Sequence, residues 1–99
     1  MKWIEVIEFR SFKKDQALLE LDFWNCLSDA IGEAHIVKIE VYNHSTLPTD
    51  ISIHLHYESA QVESQGSPFG VRLVSELKAF GCVNHTVWVE TQTVTSSTS

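Results

Sequence analysis

The chain has 99 residues, of which 43% are hydrophobic, and its seven basic and thirteen acidic side chains give a net charge of −6. A single domain of this length buries roughly 60 to 65% of its unfolded surface, so its core is modest and a partner subunit would enlarge it. The apolar content excludes a disordered chain, the lack of a long apolar run excludes a membrane span, and the acidic balance disfavours nucleic acid and anionic membranes as partners.

A strand and a helix are predicted at the start of the chain. Residues 3–12 are rich in β-branched and aromatic side chains, with apolar positions on both faces, which predicts a central strand covered on both sides. Residues 1–5 turn polar too early for the apolar core of a signal peptide, so we expect a cytoplasmic protein. From residue 15 to residue 31 the apolar side chains recur at steps of three and four, and Gly32 follows, which predicts the first helix.

The middle of the chain predicts a hairpin with a long loop. Residues 36–42 alternate between apolar and polar side chains, and residues 51–58 do the same after a connection that contains Pro48 and Asp50. These two strands are expected to pair, and their apolar positions share one face of the sheet: Val37, Ile39, Val41, Ile51, Ile53, Leu55 and Tyr57.

A second helix and a fourth strand are predicted next. Ser67 is a favourable N-cap, Pro68 suits the first helical position, and apolar residues recur at helical spacing up to Gly81, which is expected to close the helix. Residues 86–93 alternate again and predict the last strand.

The predicted order is therefore βαββαβ, which is the split-βαβ arrangement of ferredoxin-like folds in the α+β class. A single domain over residues 1–94 accounts for all six elements, and residues 95–99 are a Ser/Thr-rich tail. Right-handed crossovers place both helices on one face of a four-stranded antiparallel sheet. The other face, which we call the open face, must meet solvent, a ligand or a second subunit.

The open face is predicted to mix titratable and aromatic side chains. A solvated face rarely carries Trp and Tyr, and a buried face rarely carries many charges. A homodimer that encloses a partly wet cavity between two open faces reconciles both facts, so we expect self-association. Period-two geometry assigns this face Ile36, Lys38, Glu40, Tyr42, His54, His56, Glu58, Trp88, Glu90 and Gln92.

The layout of the chain resembles the dimeric α/β barrel proteins, which include antibiotic-biosynthesis monooxygenase-like and stress-responsive barrel domains. The resemblance runs from the opening WIEVIEFRSF to the closing HTVWVE, and the blocks YNHSTLPTDISIHLHYES and SPFGVRLVSELKAFGCVNHTVWVE are similar to those of small bacterial proteins of this type. It implies that two sheets close into a barrel across a dimer axis, around a cavity that in some members binds a polyketide-like or other small substrate. Members differ widely in chemistry, so the resemblance implies a fold and not a reaction.

His54 and His56 are the candidate catalytic residues, because residues two apart on a strand project to the same side, roughly 7 Å apart. Imidazole could orient or deprotonate a bound organic acid or phenol. The pair and Glu58 could also hold a metal ion, but no motif fixes a further ligand, so we expect neither a bound metal nor another cofactor. A third interpretation is structural, with the histidines hydrogen-bonded across a dimer interface and Trp88 packed beside them.

Five residues are candidates for substrate binding. Trp88 and Tyr42 would form the wall of a pocket on the open face, and Glu58 continues the histidine row. His44 and His85 are predicted to lie in loops at the ends of the sheet, where binding residues are frequent.

The two cysteines, Cys26 and Cys82, are expected to be reduced, buried and without a role in activity. Cys82 and His85 have a C-x-x-H spacing, which without a second half is a weak metal signal. RNA binding, which the same topology supports in other proteins, is disfavoured by the acidic residues of the sheet. Two functions remain open: a small-molecule binder or enzyme with a cavity between the sheets of a homodimer, and a structural or regulatory dimer without chemistry.

Overall fold

Four strands and one helix are described in full by the computed structural model, which covers residues 1–12, 25, 27–29, 31 and 35–96. The strands are β1 (Lys2–Ser11), β2 (Ile36–Asn43), β3 (Asp50–Glu58) and β4 (Gly81–Val89), and the Pro68 helix (Pro68–Leu77) lies between the last two. The strands form one antiparallel sheet in the order β2-β3-β1-β4. This is the strand order of a ferredoxin-like fold, and the predicted α+β class is confirmed.

The core lies on one face of this sheet. Alternate residues of β1 and β3 point into it, and Ile7, Ile53 and Leu55 are fully buried there. The Pro68 helix packs its apolar stripe on the same face, and Leu27 joins the cluster. Residues 25 and 27–29 are helical, whereas most of the predicted first helix lies outside the described residues. The position of β1 between β3 and β4 agrees with its prediction as a central strand.

The Pro68 helix begins as the sequence predicts. The Oγ atom of Ser67 accepts a hydrogen bond from the backbone N–H of Gly70 at 3.0 Å, so Ser67 is the N-cap. Pro68 occupies the first turn, where its missing N–H costs nothing. No helix in the described part of the chain is long and apolar enough to cross a membrane.

A β-bulge places the first side chains of β2 on faces of the sheet other than the predicted ones. The pairing register with β3 shifts between Ile36 and Lys38, so the side chains on either side of the bulge do not follow simple alternation. Ile36, predicted on the open face, is only 3% exposed and belongs to the core, whereas Val37, predicted in the core, is 60% exposed.

The predicted bounds of the last strand were also wrong, because β4 runs from Gly81 to Val89 and not over residues 86–93. A Cβ atom on Gly81 would collide with the backbone carbonyl of Arg10, so glycine lets the chain approach β1 closely where the strand begins. Cys82 is consequently an exposed strand residue and not a buried thiol. Cys26 lies outside the described residues.

Candidate functional site

The open face is organised in rows that the strand registers fix across the sheet. Each row takes one side chain from β4, β1, β3 and β2 in turn. Three rows carry most of the polar groups, and they are Trp88-Ile4-His56-Lys38, Thr86-Val6-His54-Glu40 and Asn84-Glu8-Ser52-Tyr42.

Three side chains in two neighbouring rows form what we call the Glu40 cluster. Glu40, His54 and His56 each offer one ligating atom, and these atoms all lie within 4.8 Å of one another. His56 Nε2 is hydrogen-bonded to Glu40 Oε1 at 2.5 Å, and both side chains are partly exposed. The two histidines lie close together, as predicted. Glu40 on β2 lies beside them, which the sequence pattern did not predict.

Neighbouring side chains hold the Glu40 cluster in place. The hydroxyl of Tyr42 donates a hydrogen bond to Glu40 Oε2 at 2.8 Å, and the Tyr42 ring lies 5.0 Å from the His54 ring. Ser52 Oγ is hydrogen-bonded to His54 Nε2 at 3.0 Å. The hydrogen bond from Tyr42, followed by the one from His56, lowers the pKa of Glu40, so the carboxylate stays ionised at neutral pH.

Trp88 and Glu58 lie on the open face but outside the Glu40 cluster. Ile4 pairs with both Trp88 and His56, so one strand separates the tryptophan from the histidine, and the two positions are about 10 Å apart across the sheet. Trp88 is 60% exposed, and its Nε1 atom donates a hydrogen bond to Thr86 Oγ1 at 2.9 Å. Glu58 is an exposed residue at the end of β3, paired in register with Lys2.

A groove of about 390 Å³ lies beside the cluster and is lined by two of the predicted binding residues, Tyr42 and His44. His44 Nδ1 accepts hydrogen bonds from the backbone N–H groups of Thr46 and Leu47, both at 3.1 Å, so this ring also stabilises the turn that follows β2. The remaining polar lining includes Arg10, Asp50, Ser52, Cys82 and Asn84.

An ion pair forms part of the lining of the groove. Arg10 donates hydrogen bonds to both carboxylate oxygens of Asp50 at 2.9 to 3.1 Å. The hydrogen bond from Arg10 is the largest cause that lowers the pKa of Asp50. Because Arg10 is mostly exposed, this pair contributes little to folding but supplies the groove with charges of both signs.

His85 does not belong to the predicted site. It lies within β4 and opposite Ile7, so its side chain points to the core face, away from His54 and His56. Its Nε2 atom is hydrogen-bonded to Glu5 Oε2 at 2.6 Å. Cys82 and His85 therefore project to opposite faces, and the C-x-x-H spacing does not form a metal site.

Glu5 is a buried carboxylate whose role was not predicted from the sequence. It is fully buried, and its Oε1 atom accepts the backbone N–H of Ser67 at 3.1 Å, at the positive end of the Pro68 helix. Tyr57 lies beside it and is hydrogen-bonded to Ser67 Oγ at 2.6 Å, and burial raises the pKa of Tyr57. The signal in the sequence was the position of Glu5 two residues from both Trp3 and Ile7, which places it on the apolar face of β1.

Comparisons with known proteins support the fold alone. No protein-family profile and no curated protein match this sequence. The solved structure of Rv0793 from Mycobacterium tuberculosis is similar to it with a TM-score of 0.71 at 14% sequence identity, over 96% of this chain and 100% of that chain. At such low identity the similarity establishes a shared architecture and carries no information about chemistry.

Proposed function

We propose that this chain is a protein of the dimeric α/β barrel type, in which two open faces meet and enclose a binding site for a small organic acid or phenol. The observation that carries the proposal is the composition of the open face. Partly exposed aromatic and apolar side chains surround a titratable cluster there, while the Pro68 helix packs on the other face.

Exposed apolar groups on the open face support the dimer. Trp88 and Tyr42 are 60% and 49% exposed, and Ile4 and Val6 form a partly exposed apolar strip along β1 between them. A modest core gains stability when such a face is covered, because apolar area removed from water contributes roughly 25 cal/mol per Å². A second copy offers the same face, which suits the two-fold symmetry common in dimers.

The groove and the Glu40 cluster support small-molecule binding. A volume of about 390 Å³ is within the usual range of ligand sites. His56 is held by the Glu40 carboxylate, which orients its ring, and a positioned imidazole is the commonest general base in proteins. In the proposal His54 or His56 orients or deprotonates the ligand, Tyr42 and His44 contact it in the groove, and Trp88 of the facing sheet stacks on it.

Light scattering and native mass spectrometry test both parts of the proposal. The mass in solution should be about twice 11.2 kDa, and the dimer should carry a co-purifying organic molecule. Trp88→Glu should give a monomer, whereas Val71→Glu, a matched change at an exposed residue of the Pro68 helix, should not. A stable wild-type monomer at micromolar concentration would contradict the barrel.

A second set of variants separates binding from a purely structural dimer. With a ligand identified, His54→Ala, His56→Ala and Trp88→Ala should each weaken its binding, whereas Cys26→Ser should leave binding unchanged. A dimer that binds no organic molecule, and whose melting temperature responds to none in a panel of acids and phenols, would favour the alternative of a structural or regulatory dimer.

A further inference from the structure

We propose that Glu40, His54 and His56 bind a divalent first-row transition-metal ion of the zinc type. The inference refines the proposed function and rests on it in one respect, since it takes the open face as a ligand-binding surface. In it the two histidines orient the organic ligand through a bound metal ion, at the coordination position that the protein leaves open. Two imidazoles and one carboxylate are a ligand set that such ions accept, and three protein ligands leave a coordination position for a water or an organic anion.

The separation of the ligating atoms fits one ion. Tetrahedral coordination at Zn–N and Zn–O distances of about 2.0 to 2.2 Å places neighbouring ligand atoms about 3.3 Å apart. All three groups in the Glu40 cluster already lie within 4.8 Å of one another. Small side-chain rotations therefore suffice to close the site, and the strands that carry the ligands need not move.

The strand pairing explains why the three groups converge. Glu40 and His54 face each other directly across β2 and β3, and His56 follows His54 at the next position on the same side. Ligands on paired strands of a sheet are held more rigidly than ligands on loops, which reduces the conformational entropy lost on binding.

Contacts around the cluster resemble the outer shell of a metal site. Tyr42 holds Glu40 Oε2 at 2.8 Å, which leaves Oε1 for a metal, and Ser52 is hydrogen-bonded to His54. The present partner of Glu40 Oε1 is His56 Nε2 at 2.5 Å, so an ion would take the place of the proton between them. The proton on Nε2 then moves to Nδ1 of the same ring, or to solvent if Nδ1 already carries a proton.

Access and charge also favour an ion. His56 and Glu40 are 25% and 32% exposed, so an ion can enter without unfolding. As metal ligands, one carboxylate and two imidazoles supply a charge of −1, which a divalent cation more than neutralises. Lys38 Nζ lies 3.8 Å from Glu40 Oε2 and opposes the ion, so Lys38→Gln should tighten binding a few-fold.

Isothermal titration with Zn²⁺ and absorption spectroscopy with Co²⁺, on the full chain without a histidine tag, test the inference. We expect one ion per chain, and tetrahedral Co²⁺ bands of high intensity. His54→Ala, His56→Ala and Glu40→Gln should each lower the affinity at least about tenfold. His35→Asn and Glu76→Gln, the latter at an exposed residue of the Pro68 helix, are the matched controls, and both should bind as the wild type does, because neither residue belongs to the cluster.

Absence of saturable binding by folded wild-type protein would overturn the inference, and so would one-to-one binding that all three cluster variants retain. Failure of the metal inference can be told apart from failure of the proposed dimeric barrel. A dimer that binds its organic ligand equally well after treatment with a chelator refutes the metal and leaves the barrel. A monomer that binds Zn²⁺ through the Glu40 cluster supports the metal and refutes the barrel.

Discussion

Two histidine and glutamate pairs lie on opposite faces of the same sheet and differ in their surroundings. His56 and Glu40 are 2.5 Å apart on the open face, where both are partly exposed. His85 and Glu5 are 2.6 Å apart on the core face, where Glu5 is fully buried and also accepts the backbone N–H of Ser67. The interacting groups are the same, so their surroundings decide what each pair can do.

The enclosed pair is a structural element, because the partners of Glu5 come from the helix N-terminus and from β4 and tie the two elements to β1. Its hydrogen bonds could be exchanged for others only by opening the core. The open pair has the same short contact but faces solvent on the side where the second histidine lies, so a ligand can take over its hydrogen bonds. We infer that the fold uses one pair for stability and leaves the other for binding.

The largest expected effect separates the two glutamates. Glu5→Ala should lower the free energy of unfolding by about 3 kcal/mol or more, because it removes a buried carboxylate and leaves the Ser67 N–H and His85 without it. Glu40→Ala should change stability by no more than the error of the measurement. Urea unfolding followed by circular dichroism gives both values, and equal losses would contradict the assignment of different roles.

The second prediction uses a glycine that the enclosed pair requires. A Cβ atom on Gly70 would collide with the Glu5 carboxylate, so Gly70→Ala should destabilise the protein by roughly 2 kcal/mol. The sign is informative, since the same change inside a helix normally stabilises by up to about 1 kcal/mol. In a Glu5→Ala background the loss should disappear, and a double-mutant cycle without coupling would refute this contact.

The third prediction concerns alkaline pH. The pKa of Tyr57 is raised by burial. The contribution of Tyr57 to the free energy of unfolding is therefore fully present below pH 10.0, the ordinary pKa of tyrosine, and is lost as the pH rises above it, because the unfolded chain ionises first. Stability should fall by about 1.4 kcal/mol per pH unit from this group, and Tyr57→Phe should remove that slope. Tyr42→Phe, on the open face, should change the slope less. Urea titrations from pH 9 to 11 make the comparison.

The smallest effect is expected at the exposed ion pair of the groove. The hydrogen bond from Arg10 lowers the pKa of Asp50, so the contribution of this carboxylate is present above about pH 4 and is lost as the pH falls through its lowered pKa. Asp50→Asn should therefore flatten the acid side of the stability curve slightly. A steepening after this substitution would show that the ionised form is not the favoured one.

Much of the fold follows from the sequence because its strands alternate regularly. In β3 the alternation assigns Ile53 and Leu55 to the core and His54 and His56 to the open face, as observed. The N-cap at Ser67 is equally predictable, since serine is a favoured N-cap and proline is favoured at the first helical position.

The remaining features depend on pairing between strands, which composition does not encode. The bulge that buries Ile36 adds one residue without any special residue type to mark it. Helical spacing predicts Gly81 as the end of a helix, whereas the helix ends at Leu77 and Gly81 lets the chain approach Arg10 at the start of β4. The contact of Glu40 with His56 depends on the register of β2 against β3, so the sequence suggested Glu58 as the carboxylate instead.

Nitrogen-detected NMR of the histidine rings, with and without one equivalent of Zn²⁺, reports on both histidine–glutamate pairs in one sample. We expect the ring-nitrogen signals of His54 and His56 to shift on addition of Zn²⁺ while those of His85 stay in place. Signals of His54 and His56 that do not respond, or a response at His85, would contradict the division between a binding pair and a structural pair.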